Sequence, residues 1–288
     1  MRGQEFRIPY KSGQTFRFIP FSDLHLGHKL SSVSNFQKEV VDRYKDEKDT
    51  FFLDLGDGLD MILAQTGDPR FKASMVDDSY LGIDHPVDEL IRDYCDLLAP
   101  IAPRIISMVD SNHHLEYMKR TGTNVTRRIA EKLWGEKVAN NGIAARLHSY
   151  AGFLRVRFHH ASGSRCIKTI TWYLSHGVTT GGRTLGGPQT SIANAAKGRK
   201  ADIFCYAHNH QLWSNDILKL AMNGGGGIVS EKEVIINTGC YKKSRSDNQD
   251  TSWEEQKEFA PNAMGHVELY VKVEWNRPDI YTIKRMIL

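Results

Sequence analysis

The sequence predicts an α/β protein in which two sheets pack face to face with helices on the outside. Three observations lead to this prediction. The first half of the chain alternates strand and helix patterns, the second half consists mostly of strands, and 40% of the 288 residues are hydrophobic against 25% charged. These fractions are ordinary for a folded globular protein and argue against disordered, collagen-like and membrane classes. Because a single α/β domain often reaches this length, we expect one domain over residues 1–288.

The first half of the chain carries three strand patterns, each followed by a helical pattern. The predicted strands are Phe16–Phe21, Thr50–Leu55 and Arg104–Val109. The predicted helices, marked by apolar residues at helical spacing, are Val33–Tyr44, Val87–Leu98 and Val125–Leu133. This βαβαβ order favours right-handed crossovers and a largely parallel sheet.

The second half of the chain changes character, because only one helix is predicted in it, at Ser191–Lys197. Val267 and Leu269 alternate with Glu268 and Tyr270, which is typical of a strand with one polar face. The predicted strands are Phe153–Phe158, Ile167–Leu174, Ile203–Tyr206, Val234–Asn237, Val267–Val273 and Ile280–Ile287. So many strands require a second sheet.

Three stretches read as irregular insertions: Gln65–Asp84, the glycine-rich Gly177–Pro188, and Cys240–Asn262. Long loops in compact domains are disproportionately functional. We therefore expect these segments to shape a substrate pocket.

Composition also limits the compartment and the partners. No apolar run approaches the roughly 18 residues of a membrane-spanning helix, and the basic amino terminus lacks an apolar signal core, so we expect a cytoplasmic protein that contacts no membrane. A net charge of +4 is too small to indicate a nucleic-acid-binding protein by itself. The sequence has four cysteines, at Cys95, Cys166, Cys205 and Cys240. Because none of them forms a CxxC pair, we expect neither a disulfide framework nor a thiolate zinc site.

Polar side chains follow five of the predicted strands at the point where each strand ends. Such positions converge on one crevice in α/β sheets. All of these side chains offer oxygen or nitrogen atoms, a mixture that suits Mn, Fe, Zn, Ni or Co. These eight side chains are more ligands than a single metal ion binds, so the sequence indicates two ions. A carboxylate such as Asp57 could bridge them. The set is Asp23, His25, Asp57, Asn112, His113, His176, His208 and His210.

The order of these motifs, D-x-H, G-D, N-H, H and H-x-H, resembles the calcineurin-like metallophosphoesterase superfamily, over Ser22–His210. The resemblance implies an α/β/β/α sandwich and hydrolysis of phosphate esters by a water activated between two divalent ions, with Mn²⁺ favoured. It implies that His113 is the catalytic histidine, which protonates or stabilises the leaving oxygen. The implied ligands of one ion are Asp23, His25 and His210, those of the other are Asn112, His176 and His208, and Asp57 bridges both.

The chain departs from the superfamily pattern around the third motif. The usual glycine before the Asn-His pair is Ser111, and the usual acidic residue after it is His114. The orientation of His113 therefore needs another carboxylate. Glu116 is one candidate for that carboxylate. Asp60, the last residue of G-D-x-x-D, is expected to contact the metal ligands or have a structural role rather than bind the metal itself.

The resemblance favours a phosphodiesterase or nuclease, because the first motif looks most like the Mre11/SbcD-like nuclease branch. The expected partner is a phosphate ester, with DNA or another single-stranded nucleic acid as the favoured class. The alternatives are a small-molecule phosphodiesterase, a phosphomonoesterase, a dinuclear amidohydrolase, and a non-catalytic interaction scaffold with this fold. The sequence does not determine the oligomeric state. Further contacts to a nucleic acid are expected from cations at Arg183, Lys242, Lys243 and Arg245 and from aromatic side chains at Tyr241 and Trp253.

Overall fold

The computed structural model describes residues 3–135, 146–161, 167–177, 186–246, 253–256, 261–274 and 278–288. The strands within these residues are β1 Gln4–Tyr10, β2 Gln14–Phe21, β3 Thr50–Asp54, β4 Ile105–Val109, β5 Leu147–His148, β6 Ala151–His160, β7 Ile167–Ser175, β8 Ile203–Tyr206, β9 Leu212–Met222, β10 Ile228–Thr238, β11 Gly265–Val273 and β12 Pro278–Ile287. The helices are α1 Val33–Phe36, α2 Pro86–Leu98, α3 Asn112–Thr121, α4 Val125–Trp134, α5 Gly187–Lys197 and α6 Trp253–Gln256.

The strands form two six-stranded sheets. The first sheet has the order β12-β11-β2-β3-β4-β5, in which β2 to β5 run parallel and the last two strands of the chain add antiparallel at one edge. The second sheet has the order β1-β6-β7-β8-β10-β9 and mixes parallel and antiparallel pairs. The two-sheet α/β prediction is confirmed.

The two sheets pack through the inward-facing half of their side chains. In β2, Phe16 and Phe18 point into the layer between the sheets, whereas Ile19 and Phe21 point outward to the helices, as the two-residue strand period requires. Trp172 of β7 meets Phe18 with ring centroids 5.2 Å apart and is fully buried. This middle layer buries apolar side chains from both sheets and so holds the two sheets together.

Helices cover the outer face of each sheet, which completes the α/β/β/α order. On the first sheet, α2 buries Leu90, Tyr94 and Leu98 in one cluster with Ile19. Pro86 occupies the first turn of α2, where its missing N–H has no intrahelical partner to lose. The outer face of the second sheet is covered by α5, whose buried residues join a separate cluster.

Several elements differ from the sequence prediction. The segment predicted as one helix from Val33 is a single α-helical turn that continues as a π-helix over Gln37–Asp42. The sequence patterns did not indicate β1, β5, β9 or α3. Among its ten residues, α3 buries only His114, so it has no apolar stripe to detect.

Two of the three predicted insertions are described only in part. Gln65–Asp84 contains short 3-10 turns, two of them at Ala73–Met75 and Asp78–Tyr80. Residues 178–185, 247–252 and 257–260 lie outside the described residues, as do Cys166 and Arg183. Among the helices that are described, none is long and apolar enough to cross a membrane.

Candidate metal centre

The predicted site residues follow the carboxyl ends of strands in both sheets. The first sheet contributes the loops after β2, β3 and β4, and the second contributes those after β7 and β8. All seven predicted ligands and His113 come together at this edge of the sandwich. Parallel neighbours end at the same edge of a sheet, which is why motifs far apart in sequence meet. The residues so gathered are Asp23, His25, Asp57, Asn112, His113, His176, His208 and His210.

The backbone at five of these residues is left-handed, with φ of 53° at Asp23, 50° at His25, 50° at Asp57, 72° at His208 and 57° at His210. No other described residue except glycine has a positive φ. This region is uncommon for residues with a Cβ, and such backbone strain costs of order 1–3 kcal/mol per residue. Hydrogen bonds between the loops hold it in place, including Asp23 N–H to Gly56 O at 3.0 Å and His25 N–H to Asp57 O at 2.9 Å. The loops are therefore constrained to turn these side chains toward one another.

One group of three side chains has the spacing of ligands to a single ion. His25 Nε2 and His210 Nε2 lie 3.3 Å apart, and His210 Nε2 lies 3.4 Å from Asp23 Oδ1. The ligand atoms of Asp23, His25 and His210 all lie within 4.8 Å of one another. These are the three residues that the resemblance assigns to one metal.

A second group lies across Asp57. His176 Nε2 is 3.1 Å from Asp57 Oδ2 and 2.8 Å from Asn112 Oδ1, and His208 belongs to the same cluster. His176 Nδ1 lies 2.7 Å from Leu55 O, to which it donates, so in the neutral imidazole Nε2 carries the lone pair that faces the cluster. This matches the ligand set that the resemblance assigns to the other metal.

Asp57 belongs to both sides of the site. Its Oδ2 lies 3.1 Å from His176 Nε2 and 3.9 Å from His25 Nε2. A carboxylate that reaches two adjacent ligand groups has the placement of a bridging ligand. The expected bridging position of Asp57 therefore agrees with the geometry.

The residues present fit divalent cations on two further grounds. Asp23 Oδ1 and Asp57 Oδ1 are buried and accept no hydrogen bond from the described residues, which would leave two costly unsatisfied acceptors without a cation. The pKa of His208 is lowered to about 4, first of all by burial, and burial also holds the pKa of His25 well below its usual value. Neutral imidazoles and ionised carboxylates are the forms that bind metals. At His176 burial opposes protonation, but the Asp57 carboxylate outweighs it and raises the pKa to about 9, so His176 would release a proton on binding a metal.

His113 is oriented by Asp60, which resolves the missing acidic residue of the third motif. His113 Nδ1 lies 3.1 Å from Asp60 Oδ1, while His113 Nε2 lies 4.0 Å from Asp57 Oδ2 and faces the centre. Burial opposes protonation of His113, but the carboxylates of Asp57 and Asp60 outweigh it and raise its pKa. The alternative, Glu116, pairs instead with Arg120 at 3.1 Å.

His114, which stands where the superfamily has an acid, does not face the centre. His114 lies on the buried side of α3, with its Nδ1 2.9 Å from Thr126 Oγ1, and burial lowers its pKa to about 4. Thr126 in turn donates to Asp110. His114 therefore supports the start of α3, the helix on which Asn112 and His113 lie.

The structure corrects one expectation about nucleic-acid contacts. Tyr241 cannot stack on a base, because it is fully buried against Phe36 and its hydroxyl lies 2.6 Å from His266 Nδ1. Its main chain is what touches the centre, since Tyr241 N–H donates to Asp23 O at 3.1 Å. Arg183 and the side chain of Trp253 lie outside the described residues.

Sequence reasoning missed two residues close to the centre. Ser22 Oγ donates to Asp23 Oδ2 at 2.5 Å and also lies 2.6 Å from Thr238 Oγ1, which orients the Asp23 carboxylate. Its position next to Asp23 was the available signal. Arg70, in the insertion after the second motif, carries a guanidinium close enough to oppose protonation of His113, and nothing in its local sequence indicates this.

Comparisons with known proteins give only distant structural similarities. No family model matches the chain, and no curated protein matches it. Vps29 complexed with zinc from Entamoeba histolytica is 11% identical, with 94% of this chain and 99% of that chain covered at a TM-score of 0.39. A metallophosphoesterase from Sphaerobacter thermophilus is 12% identical, with 94% and 88% covered at 0.39. GAP50, the anchor in the inner membrane complex of Plasmodium, is 8% identical, with 95% and 89% covered at 0.41.

At such identities and scores these matches are similarities of fold, and inferences about chemistry rest on the site itself. The described side chains form three overlapping His/Asp groups that could each hold a metal ion, namely Asp23, His25 and His210, then His25, Asp57 and His113, and finally Asp57, His176 and His208.

Proposed function

We propose that this protein is a metal-dependent phosphoesterase with a dinuclear centre, acting on phosphodiesters and favouring nucleic acid. The observation that carries the proposal is the shared position of Asp57 between two ligand groups, with His113 beside it. Mn²⁺ is the favoured ion, as the resemblance implies, and the nitrogen and oxygen donors are equally compatible with Fe, Zn, Ni and Co.

Asp23, His25 and His210 would hold one ion. His176, His208 and Asn112 would hold the other, with Asp57 reaching both. When bound, the two ions would supply an acidified water and positive charge toward the phosphoryl oxygens.

His113 is placed to donate a proton to the leaving oxygen. Its Nδ1 is bonded to Asp60, which leaves Nε2 directed toward the centre. Burial opposes protonation of His113, but Asp60, which is not a proposed ligand, raises its pKa through the contact at Nδ1 and so favours the protonated form that a general acid needs. The chain would thus supply orientation and a proton, and no protein nucleophile is required.

Two cations beside the centre support a substrate larger than a simple phosphate. Lys242 follows the buried Tyr241, and its charge adds to burial, the largest cause, in lowering the pKa of His25. Arg70 is held by Asp68 through contacts of 2.7 and 3.0 Å while its side chain stays half exposed. Cations next to a hydrolytic centre suit the flanking phosphates of a polymer.

The test is a substrate panel with added Mn²⁺: single-stranded DNA, duplex DNA, RNA, an aryl phosphodiester and an aryl phosphomonoester. We expect cleavage of single-stranded or frayed DNA, with binding that weakens as salt rises at a log–log slope near −0.7 per phosphate contacted. Replacing Lys242, Lys243 and Arg245 together by alanine should flatten that slope. The variant with only Lys243→Ala and Arg245→Ala, which keeps the charge of Lys242 beside His25, should also flatten it and leave aryl phosphodiester hydrolysis unchanged. Lys38→Ala, at an exposed lysine of the π-helical segment, is the matched control and should leave the slope as it is.

The other candidate functions predict different results in the same panel. Turnover of the aryl diester with DNA and RNA both inert would make the protein a small-molecule phosphodiesterase, and preference for the aryl monoester would make it a phosphomonoesterase. Metal binding with no ester hydrolysed would favour an interaction scaffold and refute the enzymatic proposal.

A further inference from the structure

The hairpin of β9 and β10 extends beyond the sheet from which it starts. β8 pairs only with Val234–Asn237 of β10, whereas β9 pairs with β10 along its whole length, Ile228–Thr238. Residues 217–222 and 228–233 therefore form a two-stranded ribbon with no third strand beside it in the described structure. We call these residues the ribbon.

One face of the ribbon is apolar and exposed. Leu218, Leu220 and Met222 alternate along β9, so they share a face, and Ile228 lies directly opposite Met222 on β10. The exposed fractions are 71% for Leu218, 78% for Leu220, 75% for Met222 and 78% for Ile228. Single exposed apolar residues are common, but four adjoining ones form a contiguous patch of the kind that marks interaction sites.

The opposite face of the ribbon is mixed, because it carries Lys219, Glu231 and Glu233 together with the smaller apolar side chains Ala221 and Val229, and its exposed apolar side chains are fewer and smaller than those of the first face. Lys219 and Glu233 form an ion pair of 2.7 Å there, and Glu231 is paired in register with Lys219. The amphipathic pattern therefore follows the strand period of two, as in a sheet whose apolar face is covered.

An amphipathic two-stranded ribbon of this kind has little to stabilise it alone. Isolated hairpins are marginally stable in water, and the outer part of this one receives no packing from the three hydrophobic clusters apart from Ile217 at its base. Covering the apolar face would add the burial that the ribbon lacks.

We propose that this face is a dimer interface, covered by the same face of a second copy of this chain. The face is self-compatible in charge, because its charged residues at the ribbon base, Asp216 and Lys232, neutralise each other at 2.8 Å. Two copies can therefore approach without net repulsion. In such an isologous dimer each copy covers the apolar patch of the other, so neither patch stays exposed to bind a third copy.

The available area suits a small dimer interface. If fully burying one such side chain removes roughly 60–120 Å² from water, four of them that are each about three-quarters exposed present about 200–350 Å² per copy. Two copies then cover about 400–700 Å² of apolar surface, which corresponds to roughly 600–1,100 Å² of total interface at the apolar share typical of homodimers. Only the upper end of that range reaches the roughly 1,000 Å² expected of a stable specific interface, so the dimer is expected to be weak and concentration-dependent.

The test is the oligomeric state of the full chain, measured by sedimentation equilibrium up to about 100 µM, which exceeds the micromolar affinity of the weaker interfaces of this kind. We expect a monomer–dimer equilibrium for the wild type and a shift to monomer of at least about tenfold in the dissociation constant for Leu220→Glu, since charge is depleted from interface cores. Val229→Glu places the same charge on the opposite face of the ribbon, where Val229 is 37% exposed, and should dimerise like the wild type.

A cysteine pair makes the geometry testable even if Leu220→Glu disturbs the hairpin. Leu220 lies in the middle of the patch, so Leu220→Cys should form an intermolecular disulfide on mild oxidation, whereas Val229→Cys should not. A wild-type chain that stays monomeric over the whole concentration range overturns the proposal. Dimers that Leu220→Glu leaves intact, or equal cross-linking of both cysteine variants, also overturn it.

Discussion

The contact between Asp60 and His113 makes a sharp prediction about catalysis. Asp60→Asn keeps the shape of the side chain but removes the carboxylate charge that lies 3.1 Å from His113 Nδ1. A buried hydrogen bond to a charged group contributes about 1.5–3 kcal/mol, which corresponds to roughly 10- to 150-fold in rate if all of it acts in the transition state. We therefore expect a loss of turnover in that range, with both metal ions retained.

The dependence on the leaving group distinguishes orientation of the acid from a general structural effect. A general acid matters most when the leaving oxygen is strongly basic, so Asp60→Asn should slow an alkyl phosphodiester more than a nitrophenyl one. The assay is steady-state hydrolysis of a series of diesters, with metal content measured on each preparation. His113→Ala is the reference variant, since loss of general acid catalysis typically costs about 10²- to 10⁴-fold.

The double variant, with Asp60→Asn and His113→Ala together, completes a double-mutant cycle. If Asp60 acts through His113, then Asp60→Asn adds nothing to His113→Ala, because the group that it orients is already absent. Full additivity of the two losses, an equal effect on all leaving groups, or loss of a metal ion in Asp60→Asn would each refute the reasoning.

Three further predictions concern metal binding and stability. Wild-type protein should hold about two divalent ions, and Asp57→Ala should hold one or none by elemental analysis; two retained ions would contradict the bridging position. Burial raises the pKa of Glu268, but its hydrogen-bonding partners lower it from 4.5 to about 2, so this carboxylate contributes roughly 3 kcal/mol that is present above about pH 4.5 and lost as pH falls toward about pH 2. Urea unfolding of Glu268→Gln should accordingly show a weaker pH dependence in that window, and an unchanged one would argue against it. Gly56→Ala should lower the free energy of unfolding by about 2–4 kcal/mol, because φ is 92° there and a Cβ would lie 2.8 Å from the Ser111 Cβ. Gly67→Ala, with positive φ but open space, should lose less.

Most of the strands could be predicted because their apolar patterns are local, but β1, β5 and β9 could not, nor could the order of the strands within each sheet. Ile203–Tyr206 is a strand as predicted, and the helix predicted over Val87–Leu98 is α2, which begins one residue earlier. The site residues could also be anticipated, because parallel strands bring their carboxyl ends to one edge whatever the loops between them do. The helix α3 could not be predicted, because it has no apolar stripe in its sequence. Yet this is the helix that begins with Asn112 and His113.

The sequence by itself determined the chemistry of the centre: nitrogen and oxygen donors, their order along the chain, and a carboxylate able to bridge. Only the tertiary structure decided that Asp60 rather than Glu116 orients His113, and that Tyr241 is buried rather than available for stacking. It also decided that Leu220 lies on an uncovered ribbon face. The physical reason is that residue type and periodicity act over a few neighbouring residues, whereas burial, left-handed backbone and pairings across 50 or more residues depend on which distant segments the two packed sheets bring into contact.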